Sequence, residues 1–469
     1  MRGKHLWLFG LGTTTLCSWA RYLATGSLRV DGNYPSTLVG ALLLMALIVG
    51  YGSMVVGWRD LLERSPDKPR QLAFAGLAIA SGMLPMLSND VFSFLAYDSL
   101  AAHGQDVYTS TAALPQSVWF PWIGERWANT VCVSGPLALL LGRPAALADG
   151  HPWLAIALLR ATWLIPTVAV MELSFRRLRD RPFFHAMVWL NPLFLLEGAG
   201  QLHVDLLALV ALVAGIVLLL QGRPRSAWIA YALATLAKIS FGPTGLWFCL
   251  SGAQSTSQRI RRLPAMAAVF ATLAVVIFFP FWRGPATLTE PLRALSQMNP
   301  GGSLTEAVGD VAHAIRTILS PHATLAQATT FSRAEDGGTW FVASLCLRLI
   351  ALWVGLRTFL DMLRSPGDSR TIALGTGVIL VALVTLAGHR FEPWYLLGAV
   401  PFFGLACPDV WRRWWVAAAA LAVAPTFINV LPPTTLILPI WSVICMIGVA
   451  TLFLVSFRAR FLDAVSMAK

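Results

Sequence analysis

Charged residues are scarce in this sequence. They make up 12% of 469 residues, whereas hydrophobic residues make up 57% and the mean hydropathy is +0.66. A water-soluble domain carries about 25% charged residues, so the composition excludes that class. Apolar runs of about 20 residues recur along the chain, the length that crosses a hydrocarbon core of about 30 Å. The sequence therefore predicts an all-α, polytopic integral membrane protein.

Motifs that mark several common enzyme classes are missing. No GxxxxGK[ST] phosphate loop is present, which argues against ATP as the energy source. Neither an HExxH zinc motif nor a GxSxG nucleophile elbow occurs. The six cysteines are scattered and form no CxxC pair, so neither a structural zinc site nor a disulfide framework is indicated.

The net charge of +12 does not point to a nucleic-acid partner. Lys and Arg stand in short clusters between apolar runs and form no basic face. This is the positive-inside pattern, in which such clusters lie in the cytoplasm. The first apolar run, 6–24, carries Arg21 and lacks a small-residue cleavage site, so we expect it to be a retained helix.

The apolar runs predict twelve spans and one ambiguous stretch, 226–252. The spans are expected near 5–24, 36–57, 70–87, 151–173, 182–199, 203–221, 264–282, 339–360, 370–388, 394–410, 413–430 and 435–457. If 226–252 is a hairpin broken around Lys238, every basic cluster is cytoplasmic, whereas a single span would place Arg259–Arg262 outside and invert all later clusters. The hairpin gives about 14 membrane-embedded segments and places both termini in the cytoplasm of a multi-pass inner-membrane protein.

The stretch 88–104 predicts a helix that lies at the membrane surface. Ser88 or Asn89 could cap its start and Gly104 could end it. Asp90 then stands in the first turn, and Asp98 lies two turns further on, too far away for the two carboxylates to touch. A plainer interpretation is that Asp90 only complements the helix dipole.

Ionisable residues also occur at membrane depth, where they are costly and become functional candidates. Gln201, His203 and Asp205 stand between two apolar runs, and Lys238 lies inside the broken hairpin. The alternatives are a helix-capping Asp beside a hydrogen-bonded His, and a Lys that forms a structural ion pair or reaches the interface.

A late turn between spans contains His389, Arg390, Pro393, Trp394 and Tyr395. An arginine at this height suits a lipid phosphate, which a guanidinium can bind through two parallel hydrogen bonds. The alternative is an arginine that only anchors the chain among lipid headgroups.

These stretches resemble GT-C glycosyltransferases, most closely the polyprenol-phosphomannose-dependent α-mannosyltransferases of bacteria. The resemblance is carried, in order, by 88–108, 191–205, 237–243 and 393–395. The family's Gly-x-Asn-Pro-Tyr ending is replaced here by Gly104-Gln105-Asp106-Val107-Tyr108, which departs from the subfamily pattern. The resemblance implies a GT-C-like transmembrane catalytic module over 1–410, with outer loops 88–150 and 283–338, followed by C-terminal transmembrane helices in 411–469.

The family implies inverting transfer of a hexose, mannose by resemblance, from a polyprenyl-phosphate donor to an envelope glycan or glycolipid on the outer face of the membrane. Asp90 matches the catalytic base, which takes the proton of the acceptor hydroxyl. His203, Lys238 and Arg390 are candidates to steady the phosphate. The proposed substrate-binding set is Asp98, Gln201, His203, Asp205, Lys238, His389, Arg390, Trp394 and Tyr395. No cofactor is expected; the arrangement is compatible with a divalent metal but does not require one. Membrane lipids are expected partners, and the sequence assigns no oligomeric state.

Two other functions fit the same residues. A transporter or flippase for polyprenyl-linked glycans would place its polar residues near the bilayer midplane and carry inverted repeats, none of which is visible. A ligase or polymerase of envelope glycans would share the lipid-phosphate chemistry but move a longer glycan. Clustering of Asp90 with a cation at the outer surface would favour an enzyme over a transporter.

Overall fold

In the computed structural model, every regular element of the described residues is a helix. The residues described are 2–29, 35–64, 66–124, 127–251, 253, 255–297, 337–365, 367–388 and 392–406. The α-helices are α1 Arg2–Thr25, α2 Thr37–Arg64, α3 Pro69–Ser81, α4 Asp90–Ala102, α5 Pro136–Gly142, α6 Pro152–Arg177, α7 Pro182–Trp189, α8 Asp205–Leu220, α9 Pro224–Ala237, α10 Gly245–Leu250, α11 Thr256–Phe278, α12 Ala286–Gln297, α13 Gly337–Arg364, α14 Ser369–Ala382 and α15 Val400–Ala406. The predicted all-α membrane fold is confirmed.

Within the described residues, four helices are long and apolar enough to cross a bilayer. They are Leu38–Arg64, Pro152–Arg177, Ser257–Phe281 and Ser369–Ala387. A fifth span arises if Phe194–Gly200 and Asp205–Leu220, which meet at 114°, are counted together. Apolar helices of sufficient length are therefore confirmed at four predicted spans, 36–57, 151–173, 264–282 and 370–388. The total of about 14 segments stays a prediction, and 413–430 and 435–457 lie outside the described residues.

Three predicted spans are not single α-helices. The described part of the span expected over 394–410 begins with a 3₁₀ segment, Pro393–Gly398, and continues as α15 only from Val400. The helix expected over 70–87 ends at Ser81, and irregular backbone leads from there to α4. The helix expected over 182–199 stops at Trp189, because Pro192 lacks the backbone N–H that would continue it. A π-helical segment, Phe194–Gly200, follows the break. Such segments recur at functional sites, and this one leads directly into the polar stretch 201–205.

Helices α1 and α2 pack closely and support the break after α7. A side chain at Gly10 would collide with the backbone of α2, so the two helices approach through small residues, as membrane helices commonly do. Trp7 donates its indole N–H to Leu190 O at 2.9 Å, and Trp58 donates to Ala186 O at 2.8 Å. These two bonds satisfy carbonyl groups at the broken end of α7, where no water is at hand in the bilayer.

The chain turns back on itself at Lys238, as the hairpin interpretation of 226–252 predicts. Lys238 has extended backbone angles and ends α9. Tyr231, seven residues earlier, donates to Gly242 O at 3.0 Å, and its ring lies 5.4 Å from that of Phe248. Since α8 and α9 pack side by side, the start of α8 and the end of α9 come together at Lys238.

Candidate active site

Helix α4 begins at the predicted catalytic base, and most of its residues are buried, so its place at the membrane surface stays a prediction. Ser88 Oγ accepts the Asp90 backbone N–H at 3.1 Å and so fixes the first turn. The helix ends where Gly104 adopts a φ of +76°, and the N–H of Gln105 reaches back to Leu100 O at 2.9 Å. This is a glycine-terminated helix end, so the helix predicted over 88–104 is confirmed.

An indole and an imidazole side chain flank the Asp90 carboxylate. Trp127 donates its indole N–H to Asp90 Oδ1 at 2.9 Å. His203 Nδ1 lies 3.5 Å from Asp90 Oδ2. Only 9% of the Asp90 side chain is exposed. A carboxylate that is partly shielded from water and held from two sides is suited to accept a proton in a fixed direction.

His203 lies between two carboxylates. Its Nε2 is 3.4 Å from Glu197 Oε2, on the opposite side from Asp90. The ring of Trp394 stacks on the imidazole with the two centroids 3.7 Å apart, tilted by 13°. Leu202, the residue directly before His203, has a φ of +57°, a left-handed conformation that costs a bulky residue about 1–3 kcal/mol. The strained turn aims His203 towards both acids.

Lys238 closes the cluster from the other side. Its ammonium donates to Asp205 Oδ2 at 2.7 Å and lies 4.6 Å from the centre of the Tyr395 ring. Asp205 is fully buried at the start of α8, where the helix dipole favours a negative charge. The chain between α4 and α5 docks beside this pair, because Gly135 donates its N–H to Ala237 O at 3.0 Å.

Gln201 uses its amide on the backbone in front of α4. Its Oε1 accepts from the N–H groups of Met86 and Leu87, both at 2.9 Å, and its Nε2 donates to Leu84 O at 3.2 Å. These bonds replace the helix that the sequence predicted for 82–87. A contact between Gln201 and substrate stays a prediction, since the structure gives this side chain a role in holding the segment before Asp90.

Asp98 stands apart from the cluster. Its carboxylate packs against Gly142, where any side chain would collide with it, and 2% of the residue is exposed. One carboxylate oxygen has no hydrogen-bond partner. Burial raises the pKa of Asp98 well above its ordinary value. Its predicted role in substrate binding is untested.

Five of the predicted residues, Asp90, His203, Lys238, Trp394 and Tyr395, therefore meet around one another, with Asp205 beneath Lys238. His389 and Arg390 lie outside the described residues. Glu197 and Trp127 also belong to the cluster, although the sequence did not assign them to it. Trp127 stands in a polar loop, 37 residues from its partner, and no local pattern marks it.

Arg160 is a further residue that the sequence left unassigned. It lies inside the predicted span 151–173, and an arginine at that depth is itself a signal of function or of a structural partner. Its Nη2 donates to Met83 O at 2.7 Å and to Gly200 O at 3.1 Å. The guanidinium thus joins the segment before α4 to the end of the π-helical segment.

Within the described part of the chain, no three His, Cys, Asp or Glu side chains are arranged to hold a metal ion. The metal requirement stays a prediction.

The comparisons with known proteins point to one family. Residues 9–251 match the family model described as "Alpha-(1->6)-mannopyranosyltransferase, N-terminal domain". The chain is 25% identical, over 248 residues, to Alpha-(1->6)-mannopyranosyltransferase A of Mycobacterium tuberculosis. That similarity covers 50% of this chain and 48% of the relative, so the chain spans about half of the relative's length. No solved structure matches.

Proposed function

Because the chain belongs to the alpha-(1->6)-mannopyranosyltransferase family whose model covers residues 9–251, we propose that it is a membrane-embedded mannosyltransferase. The donor is a polyprenyl-phosphate mannose, and the acceptor is a hydroxyl of an envelope glycan or glycolipid. The reaction takes place at the outer face of the cytoplasmic membrane and inverts the anomeric centre.

The held carboxylate of Asp90 carries this proposal. The acceptor oxygen attacks the anomeric carbon, its proton passes to Asp90, and the bond to the polyprenyl phosphate breaks. The leaving group is already an anionic phosphate, so the reaction needs no general acid. Trp127 donates to one carboxylate oxygen and His203 lies beside the other, so the carboxylate keeps a fixed orientation in which it can accept the proton.

Lys238 supplies the positive charge that the leaving phosphate needs. An ammonium has three N–H donors, and one of them bonds to Asp205. The remaining donors and the partial exposure of the side chain, 20%, suit contact with phosphate oxygens. Arg390 is the second cation that we propose, on the sequence pattern alone; in the sequence it stands four residues before Trp394, which stacks on His203.

The depth of the cluster favours an enzyme over a transporter. Helix α8 has 16 residues and α9 has 14, so at 1.5 Å per residue they are about 24 and 21 Å long. Helix α8 ends and α9 begins at the turn beside Arg223. The cluster lies at the opposite end of both helices, at the start of α8 and the end of α9. In a hydrocarbon core of about 30 Å, this is near the boundary opposite Arg223, whereas a transporter binds substrate near the midplane.

Reconstitution tests this proposal. The purified protein in proteoliposomes is given polyprenyl-phosphate mannose and a mannose-containing oligosaccharide acceptor, and the product's linkage is determined by NMR. We expect transfer from the lipid-linked donor and none from nucleotide-linked mannose. Transfer from the nucleotide sugar, or movement of the lipid-linked sugar across the bilayer without transfer, would contradict the proposal. Mass spectrometry of envelope glycans from a deletion strain identifies the acceptor.

A further inference from the structure

Glu197 is a buried acid that the transfer reaction itself does not use. It is fully buried in the π-helical segment, and neither carboxylate oxygen has a well-aligned hydrogen-bond donor. Among the described residues, its ion-pair contact is with His203, at 3.4 Å. The two residues are also joined by their backbones, because the His203 N–H donates to Glu197 O at 3.3 Å. A buried carboxylate without compensation is costly, so the contact with His203 decides its charge.

The two carboxylates beside the His203 ring favour an N–H on each ring nitrogen. Nδ1 faces Asp90 Oδ2 and Nε2 faces Glu197 Oε2, at 3.5 and 3.4 Å. A neutral imidazole has an N–H on only one nitrogen and would turn a lone pair towards one of the two acids. An imidazolium has a donor on both. The stacked Trp394 holds the ring in this plane and 1% of the His203 side chain is exposed, so water cannot replace either acid.

We propose that Glu197 is a positioning residue: it keeps His203 protonated, and the resulting imidazolium holds Asp90 ionised and aimed at the acceptor hydroxyl. The inference rests on the proposed function, in which Asp90 is the base. When Asp90 has taken the acceptor's proton, the trio of Asp90, His203 and Glu197 is neutral overall. Before that step it carries one net negative charge, which lies on the Asp90 side facing the substrate.

Other charged and titratable groups surround the trio without replacing the imidazolium. Lys238 and Tyr97 are close enough to interact electrostatically with Asp90, and Tyr51 on α2 with Glu197. Burial raises the pKa of Tyr97 well above its ordinary value, so its phenol stays neutral. Lys238 is already paired with Asp205. The imidazolium is therefore the charge beside Asp90 that Glu197 controls.

The pH dependence of transfer tests this role. In proteoliposomes, kcat/KM for mannosyl transfer is measured against pH for the wild type, Glu197→Gln, His203→Gln and the double variant. Loss of an opposite charge within 4–6 Å moves the titration of a carboxyl group by about 1–3 pH units. We expect the acid limb of the profile to move to higher pH by that amount in both single variants, with little further shift in the double variant. Donor KM should change little. Glu172→Gln, which removes a carboxylate that pairs with Arg70 and Arg176 on the surface, is the matched control and should keep the wild-type profile.

A uniform loss of rate with an unshifted acid limb would assign Glu197 a merely structural role and overturn the proposal, as would an unchanged profile. A second measurement needs no activity. Nitrogen-15 NMR of labelled histidine at neutral pH should show an imidazolium that disappears in His203→Gln and becomes neutral in Glu197→Gln. A neutral His203 in the wild type would overturn the inference. If the wild type transfers no mannose at any pH, the proposed function fails, and the NMR result still decides the charge of His203.

Discussion

The ammonium of Lys238 and the carboxylate of Asp205 are joined by a 2.7 Å hydrogen bond that links the end of α9 to the start of α8. The carboxylate is completely buried, whereas 20% of the lysine side chain is exposed. This asymmetry gives the pair two separable roles. In the proposed function, Asp205 holds the lysine and the lysine contacts the donor phosphate.

The first prediction separates these roles. Lys238→Met leaves the Asp205 carboxylate buried without its partner and should lower the free energy of unfolding by about 3–5 kcal/mol. The double variant Lys238→Met/Asp205→Asn removes both charges and should regain most of that stability, yet it should not regain donor binding. Thermal unfolding and donor affinity are measured together. Normal donor affinity in the double variant would remove Lys238 from the phosphate site.

The second prediction concerns the left-handed turn at Leu202. Leu202→Gly and Leu202→Ala lose nearly the same buried side chain, but only glycine adopts a φ of +57° without strain. The strain costs about 1–2 kcal/mol, and glycine's extra freedom in the unfolded chain offsets roughly 0.5–1. Leu202→Gly should therefore be the more stable of the two by about 1 kcal/mol.

Leu206, which is buried in the regular helix α8, provides the control for this comparison. There the order should reverse, with alanine more stable than glycine by about 1 kcal/mol. Chemical denaturation in detergent measures all four variants. If the Leu202→Ala variant is more stable than the Leu202→Gly variant, the strained turn is absent.

The third prediction is a pH dependence of stability set by Asp98. Because burial raises the pKa of this carboxyl above its ordinary value of 3.8, the folded state retains the proton that the unfolded chain releases. The contribution of Asp98 to the free energy of unfolding is fully present below pH 3.8 and is lost as the pH rises through the raised pKa of the folded state. Asp98→Asn cannot ionise, so it should be more stable than the wild type at neutral pH and should lack this loss. Melting temperatures from pH 4 to 8 test it. A less stable Asp98→Asn at pH 7 would show that the carboxylate has a favourable partner.

The fourth prediction fixes the orientation. In a variant without native cysteines, Cys introduced at Ser257, beside the Arg259–Arg262 cluster, should react only with a membrane-permeant reagent. Cys introduced at Gln116, which is exposed in the outer loop, should react with an impermeant one. Labelling of position 257 by the impermeant reagent from outside would show that the true orientation is the reverse of the predicted one. The proposed outer-face location of Asp90 would then be wrong, although the cluster itself would be unchanged.

Features with a local cause could be predicted from the sequence. Gly104 ends α4 because glycine alone tolerates a φ of +76° cheaply, and the chain reverses at Lys238, next to Gly242 and Pro243. The apolar runs predicted the long helices for the same reason, since length and composition are local properties. The break after Trp189 was missed although Pro192 marks it.

The partners of the site residues could not be predicted, because they come from distant parts of the chain. Trp127 reaches Asp90 across 37 positions and Arg160 reaches Met83 across 77. Nothing in the sequence shows that the two nitrogens of His203 face two different acids. The tertiary fold produces that arrangement by bringing Asp90 and Trp394 to the ring of His203, beside Glu197.

The role of Asp90 as the catalytic base is tested most directly by the turnover of Asp90→Asn in proteoliposomes with polyprenyl-phosphate mannose. The change keeps the size of the side chain and an oxygen that can accept from Trp127, so folding and donor binding should stay close to normal. Asp180→Asn, at an exposed turn after α6, is the control and should turn over at the wild-type rate. We expect Asp90→Asn to lose about 10²–10⁴ in rate, as for removal of a general base. Near-normal turnover of Asp90→Asn, with donor binding intact, would show that another group takes the proton and would contradict the central claim.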